Sequence, residues 1–264
     1  MTMIIPAMAI TDMITAMADE RRTLPLPQSG VVDLGDPPLS SAALYRLMTW
    51  FSPSYPVGAF AYSSGIEWAV EAGDIHDAET LRSWLESMLT SGAGYSDGIF
   101  FTQTYRAAWA SDNLSLVALS ELAAAFAPTR ERYLETTAQG GAFMTVTRAA
   151  WPCRAVEQLA ALWDGPVAYP VAAGVACAGH DIPLSHALHA FLYAVVANWI
   201  SAGVRLIPLG QTDSQRVLDA IEAAVAETAK RTLIATLDDL GSATFRADLA
   251  GMRHEAQYTR LFRS

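Results

Sequence analysis

The stretch from Leu184 to Ile207 limits the possible folds more than any other part of this chain. Leu184, Leu188, Phe191, Leu192, Val195, Val196, Trp199 and Ile200 recur at three- and four-residue spacing and spread round much of the circumference of a helix opened by Pro183. A helix apolar on so many sides cannot rest on a surface. It must run through the middle of a bundle, so the remaining sequence has to supply the helices that enclose it.

Those helices are legible from caps and periodicity. Ser40 or Ser41 can cap a helix carrying Leu44, Leu47, Met48 and Phe51. Asp77 can cap the next long one, with Leu81, Trp84, Leu85, Met88 and Leu89 on one stripe, and Gly92 and Gly94 weaken it before a further helix through Ile99, Phe100 and Tyr105. Asp112 and Thr129 are caps for two more, with Pro128 ending the first. Residues 170–179 read as a short helix of small residues, and Thr212-Asp-Ser-Gln215 as a capping box starting a helix that runs to about Asp239. A last helix is expected near Thr244–Glu255. No run alternates as a strand should. The expectation is an all-α, single-domain helical bundle of about eight to ten helices over residues 39–264. Residues 1–38 are expected to be a disordered leader, with a short helix near residues 8–20, because Leu24-Pro-Leu-Pro27 and Asp36-Pro-Pro38 cannot continue a helix.

Composition narrows the function. Only 17% of residues are charged while 52% are hydrophobic, so the surface has apolar areas to cover, which points to an obligate partner or oligomer. The net charge of −10 argues against nucleic acid, which needs a basic face. The densest acidic stretch, Ser64 to Ala127, reads either as a solvated helical surface or as a face for a basic partner. Cys153 and Cys177 are isolated and form neither a disulfide framework nor a CxxC pair. The apolar N-terminus lacks a basic region, so no signal peptide is expected. No stretch reaches transmembrane length uninterrupted, Leu184 to Ile207 containing His186, His189 and Asn198. The expected location is the cytoplasm, with no membrane contact.

Two segments stand out as candidate sites. The C-terminal Met252–Ser264 mixes Arg253, Arg260 and Arg263 with His254, Tyr258, Leu261 and Phe262, the composition of a docking surface; it either folds back on its own body or grips a partner. Ser52–Glu67 contains Pro53 and Pro56, which fix an extended path, and Gly58, which permits a turn. Ser63 or Ser64 can cap the helix that follows, and Tyr55, Phe60 and Tyr62 surround the turn. It reads either as a rigid loop filling the core or as a preformed surface. No hydrolase, metalloprotease or nucleotide-binding motif is present in the sequence. Candidate metal ligands are His186 and His189 at i, i+3, with His180 and Asp181 nearby, and His254 beside Glu255, but no spacing defines a site.

The Ser52–Glu67 segment and the tail, with Thr129-Arg-Glu-Arg132 followed by Gln139-Gly140 and Arg205-Leu-Ile-Pro-Leu-Gly-Gln211, resemble the urease accessory protein UreF family across about residues 42–264. The resemblance implies an all-helical, non-enzymatic maturation factor for nickel urease that dimerises and binds the accessory protein UreD (also called UreH). It implies recruitment of the nickel-carrying GTPase UreG and docking on apo-urease, with GTP hydrolysis coupled to nickel transfer. No cofactor is expected to be bound permanently; nickel is handled transiently. By the same resemblance the tail's Arg253, His254, Tyr258, Arg260 and Phe262, and Tyr55, Pro56, Gly58 and Glu67 of the loop, are partner-binding, the loop residues alternatively lining a passage for the ion. Arg130, Glu131 and Gln139 match a family helix with no partner assigned. Competing readings are a metallochaperone holding nickel through His180, His186, His189 or His254, an α-helical hydrolase, and an adaptor that never touches nickel.

Overall fold

The computed structural model describes residues 37–263. Most of the leader, including the short helix expected near residues 8–20, lies outside them. The described residues hold eleven α-helices, ten of them nine residues or longer, and two short 3-10 turns. Among the described residues there is no strand.

Caps start the first helices as the sequence suggests. Ser40 accepts from the Ala43 N–H at 3.1 Å and opens α1 (Ser41–Trp50). The six-residue α2 (Ile66–Glu71) is entered through Gly65 at a φ of +80°, which takes the N-cap position, while the Ser63 hydroxyl accepts from the first-turn Glu67 N–H at 3.5 Å. A reciprocal Asp77–Thr80 box opens α3 (Ala78–Ser91), and Gly92 separates it from α4 (Ala93–Trp109). Asp112 and Thr129 cap α5 (Asn113–Ala125) and α6 (Arg130–Ala150). Next come α7 (Arg154–Leu162), which the sequence reading did not include, and α8 (Tyr169–Gly179). The long pair α9 (Leu184–Leu206) and α10 (Gln211–Ile234) is followed by α11 (Phe245–His254).

Two boundaries correct the expectation. The cap of α10 lies two residues earlier than Thr212, at Gly210, and only half a box forms: the Asp213 carboxylate reaches back to the Gly210 N–H at 3.2 Å. The helix also ends at Ile234, short of Asp239, where a separate 3-10 turn spans Leu237–Asp239.

As its apolar circumference requires, α9 is central, packing on α10, α4, α3, α8 and α2. Phe191, fully buried, stacks on Phe101 at 5.0 Å and meets Phe51 and Tyr169 edge-on or tilted. By length and composition α9 could cross a membrane, with a mean hydropathy of 1.5, yet half of that window is covered by the bundle. Against α4 lies α8, whose small residues let the two backbones approach; a Cβ on Gly174 would sit 2.7 Å from the Phe101 carbonyl oxygen. Cys177 is buried and Cys153 half-buried, both as free thiols.

One stripe turned out differently. On α1 the buried face is Ala43, Leu47 and Trp50, leaving Leu44, Tyr45 and Met48 exposed at 46%, 65% and 68%. Removing the Phe191 ring should cost about 3–5 kcal/mol in urea unfolding, whereas Tyr193→Ala on the exposed side of α9 should leave the unfolding midpoint nearly unchanged.

Candidate functional site: a buried clasp for the C-terminal segment

The Ser52–Glu67 segment is shaped by backbone first. Tyr55 turns inward and bonds Thr147 through its hydroxyl at 2.9 Å. Pro56 and Gly58 are exposed, and Gly58 takes a left-handed φ of +74°. A second turn follows at Ser64 and Gly65, both left-handed, with φ of +53° and +80°. Ser64 pays a steric cost there, and its side chain shows what holds it. Its Oγ donates to the Glu135 carboxylate at 2.9 Å and accepts from the Trp199 indole N–H at 3.0 Å. At Gly65 the need is space as well as φ, since a Cβ would lie 2.8 Å from the backbone nitrogen of Gly251 in α11.

This turn aims Glu67 into the protein, where it is buried among three donors. His254 gives it Nε2–H at 2.9 Å, and the backbone N–H groups of Leu261 and Phe262 donate at 2.6 and 2.9 Å. The other ring nitrogen of His254, Nδ1, meets Glu131 of α6 at 2.7 Å, and Arg260 donates to the same carboxylate at 3.2 Å. His254 is fully buried. Burial works against its imidazolium, but the hydrogen bonds and charges of Glu131 and Glu67 more than offset this and raise its pKa. For Glu67 burial raises the pKa and the Leu261, His254 and Phe262 donors lower it, with a net fall. Two carboxylates and two cations thus make a balanced group that ties α2, α6 and the tail together.

The tail is sealed by stacking. Phe262 is only 4% exposed. The Arg205 guanidinium carbon lies 4.0 Å from its ring centroid and 3.6 Å from that of Phe60 on the other side, a cation between two aromatic faces. Arg205 also donates to the Phe60 carbonyl at 2.7 Å, and the Arg263 N–H bonds the Ala61 carbonyl at 2.8 Å.

One turn along α6 a second network begins. Arg132 pairs with Asp97 and lies 3.6 Å from Glu135. Two carboxylates share one buried guanidinium, and desolvation, outweighing the attraction of Arg132, raises the pKa of both Asp97 and Glu135. These groups, with Gln139, Tyr169 and Asn198, line a cleft of about 150 Å³ beneath the Pro53–Phe60 loop. A smaller hollow of about 40 Å³, bordered by Glu131, Arg132, Glu135 and Gly251, lies on their far side under α11.

The sequence-derived candidates therefore divide in two. Glu67, His254, Phe262 and Tyr55 are buried and hold the segments in place; Arg260, partly exposed, joins them. Arg253, Tyr258, Pro56 and Gly58 face outward, Tyr258 fully exposed. As metal ligands the histidines fare poorly. Among the described residues no group of three His, Cys, Asp or Glu side chains is arranged to hold an ion. His254 has both nitrogens engaged, His180 faces the Trp151 carbonyl, and His189 is exposed on α9, one turn from half-buried His186. Asp97 was not singled out from sequence, and Ser64, Trp199 and Arg205 stood out only as a cap candidate, an apolar helix position and part of a family-like stretch. Asp97 carried the one available signal, a lone charge among small and apolar neighbours in α4.

The structure is thus a helical bundle whose C-terminal segment is clamped by buried carboxylates, with Tyr258 and Phe245 left exposed. The UreF family profile matches residues 75–222. The chain is 63% identical over 224 residues to "Urease accessory protein UreF" of Rhodopseudomonas palustris strain BisA53, covering 85% of this chain and 94% of that protein. It is 64% identical over 224 residues to the protein of that name from Bradyrhizobium diazoefficiens, covering 85% and 93%. The chain belongs to the UreF family of urease accessory proteins; it assists an enzyme and is not one itself.

Glu131→Ala would leave His254 and Arg260 without their carboxylate and should destabilise the fold by about 3–5 kcal/mol in chemical denaturation, while Glu79→Ala on the exposed start of α3 should leave the midpoint in place. Gly65→Ala should lift α11 from the turn, read as faster hydrogen exchange over residues 245–263 with the core of α9 still protected.

Proposed function

We propose that this protein is the adaptor that assembles the nickel-delivery complex on apo-urease in the cytoplasm. Its partners in that reading are UreD/UreH and the GTPase UreG, and a second copy of itself. The carrying observation is the clasp: Glu67, His254 and Glu131 hold the C-terminal segment so that Phe262 turns inward and Tyr258 and Leu261 turn outward at 102% and 64% exposure. A tail held in one conformation binds without first losing its conformational entropy. Next to it α11 offers Phe245, Leu249 and Met252, all exposed and spaced by four and three residues. This apolar face suits UreD/UreH. The exposed Leu44, Tyr45 and Met48 of α1 form a separate apolar face suited to the second copy.

The structure also bears on how nickel is handled. In this reading the ion is cargo, passed through the complex without a permanent site. Arg132 and Glu135 line both the cleft that holds Asn198 and Gln139 and the hollow under α11. Trp50 also lines the cleft, and its buried indole N–H has no protein partner, which favours a hydrated interior. These shared polar groups, set in a largely apolar lining, support a route for a hydrated cation that opens when Arg132 moves. The adaptor that never touches nickel makes a different forecast for the same variants.

Co-expression with UreD/UreH and UreG followed by size exclusion tests the assembly. Tyr258→Ala should remove the complex while far-UV circular dichroism stays unchanged; a complex that survives both this change and truncation of residues 252–264 would overturn the reading. Asn198→Trp, which fills the cleft, should keep the complex intact and lower the yield of active urease at least tenfold. Full activation would leave an adaptor without a nickel route.

A further inference from the structure

The geometry points to His254 as a proton-operated catch: its imidazolium, shared between Glu67 and Glu131, holds residues 260–263 on the body, and loss of one proton releases them. An ionised carboxylate only accepts hydrogen bonds, and a neutral imidazole has one donor and one acceptor nitrogen. Here Nδ1 and Nε2 each face a carboxylate oxygen, at 2.7 and 2.9 Å, in a residue with no solvent exposure. Only the doubly protonated ring satisfies both contacts. Once a proton leaves, a ring lone pair points at a carboxylate oxygen at hydrogen-bond distance with no water between them.

Charges on the neighbouring elements leave no substitute for that proton. From α2 only Glu67 faces the ring, Glu71 being exposed; from α6 only Glu131 does, while Arg132 turns to Asp97 and Glu135 to Arg132 and Ser64. From the tail Arg260 reaches Glu131 but is itself 39% exposed, and Arg205 of α9, bonded to the Phe60 carbonyl and stacked on two rings, acts on Glu67 through its charge and not as a hydrogen-bond donor. With the imidazolium the group of Glu67, Glu131, His254 and Arg260 is neutral; without it, the same group carries one net negative charge, opposed only by the non-bonded charge of Arg205. Glu67 feels the change directly, and Glu67 is the acceptor for the Leu261 and Phe262 N–H groups. Release of the ring from Glu67 thus loosens the anchor of the tail.

The direction follows from linkage. The docked His254 has a pKa above that of a free histidine, about 6.5. Docking stability from this residue is complete below that free value and is lost as pH rises through the docked value. Glu67, whose pKa is lowered, acts in the opposite sense: its contribution holds above the ordinary carboxylate range and is lost as pH falls through its docked value. The tail is therefore seated in a window bounded by Glu67 on the acid side and His254 on the alkaline side.

Aromatic ¹³C–¹H NMR of the full chain from pH 6 to pH 10, with His254 assigned from His254→Gln, tests the catch without relying on exchanging amides. The Phe262 ring signals should move toward free-chain positions with the same midpoint as His254, and that alkaline transition should vanish in His254→Gln. Glu67→Gln and Glu131→Gln, each removing one negative partner, should lower the His254 midpoint, and either variant with native far-UV dichroism suffices. Phe262 signals that stay constant while His254 deprotonates would overturn the proposal. So would an imidazole already neutral at pH 6, one still protonated at pH 10, or a midpoint unmoved by the carboxylate substitutions.

Discussion

The Glu67 carboxylate is buried, and its three donors come from parts of the chain almost 200 residues away in sequence: the His254 ring and the Leu261 and Phe262 N–H groups. Burying a carboxylate is costly unless every lone pair finds a donor, so each element that supplies one is held to a narrow position. The left-handed turn at Ser64 and Gly65 delivers Glu67, the Thr129 cap fixes where α6 begins and so where Glu131 points, and the bare backbone at Gly65 lets α11 come close enough for His254 to reach both acids. Arg205 then closes the tail between Phe60 and Phe262.

Helix α6 connects this clasp to the interior. Glu131 looks toward the tail, while Arg132, Glu135 and Gln139 look toward the cleft, and Ser64 joins the two regions by hydrogen-bonding Glu135 from the turn that carries Glu67. A shift of the tail large enough to move α6 also moves Arg132 and Glu135, which line both the cleft and the hollow beneath α11.

Outside these networks the surface is poor in charge and carries two apolar helix faces. The one on α1 comprises Leu44, Tyr45 and Met48, and the one on α11 runs through Phe245, Leu249 and Met252 toward Tyr258 and Leu261. Both leave large side chains in water that the fold does not need there, which is the physical mark of a protein completed by its partners.

The sequence by itself determined that the chain is helical, where most helices begin, and that α9 is enclosed, because caps and apolar periodicity act over a few residues and are written in neighbouring positions. It also marked the Ser52–Glu67 segment and the tail as unusual. Side-chain direction was less legible: Leu44 and Met48 share helical spacing with Leu47, and spacing cannot say which face a short amphipathic helix turns inward when both sides are apolar. Residues that look like surface grips, Glu67, His254 and Phe262, became internal fastenings only when α2, α6 and the tail met. Asp97, Ser64 and Arg205 acquired a role only from partners at least 35 residues distant in sequence. Tertiary structure decided the clasp because desolvation and charge pairing depend on what surrounds a group in space, and no local pattern records that.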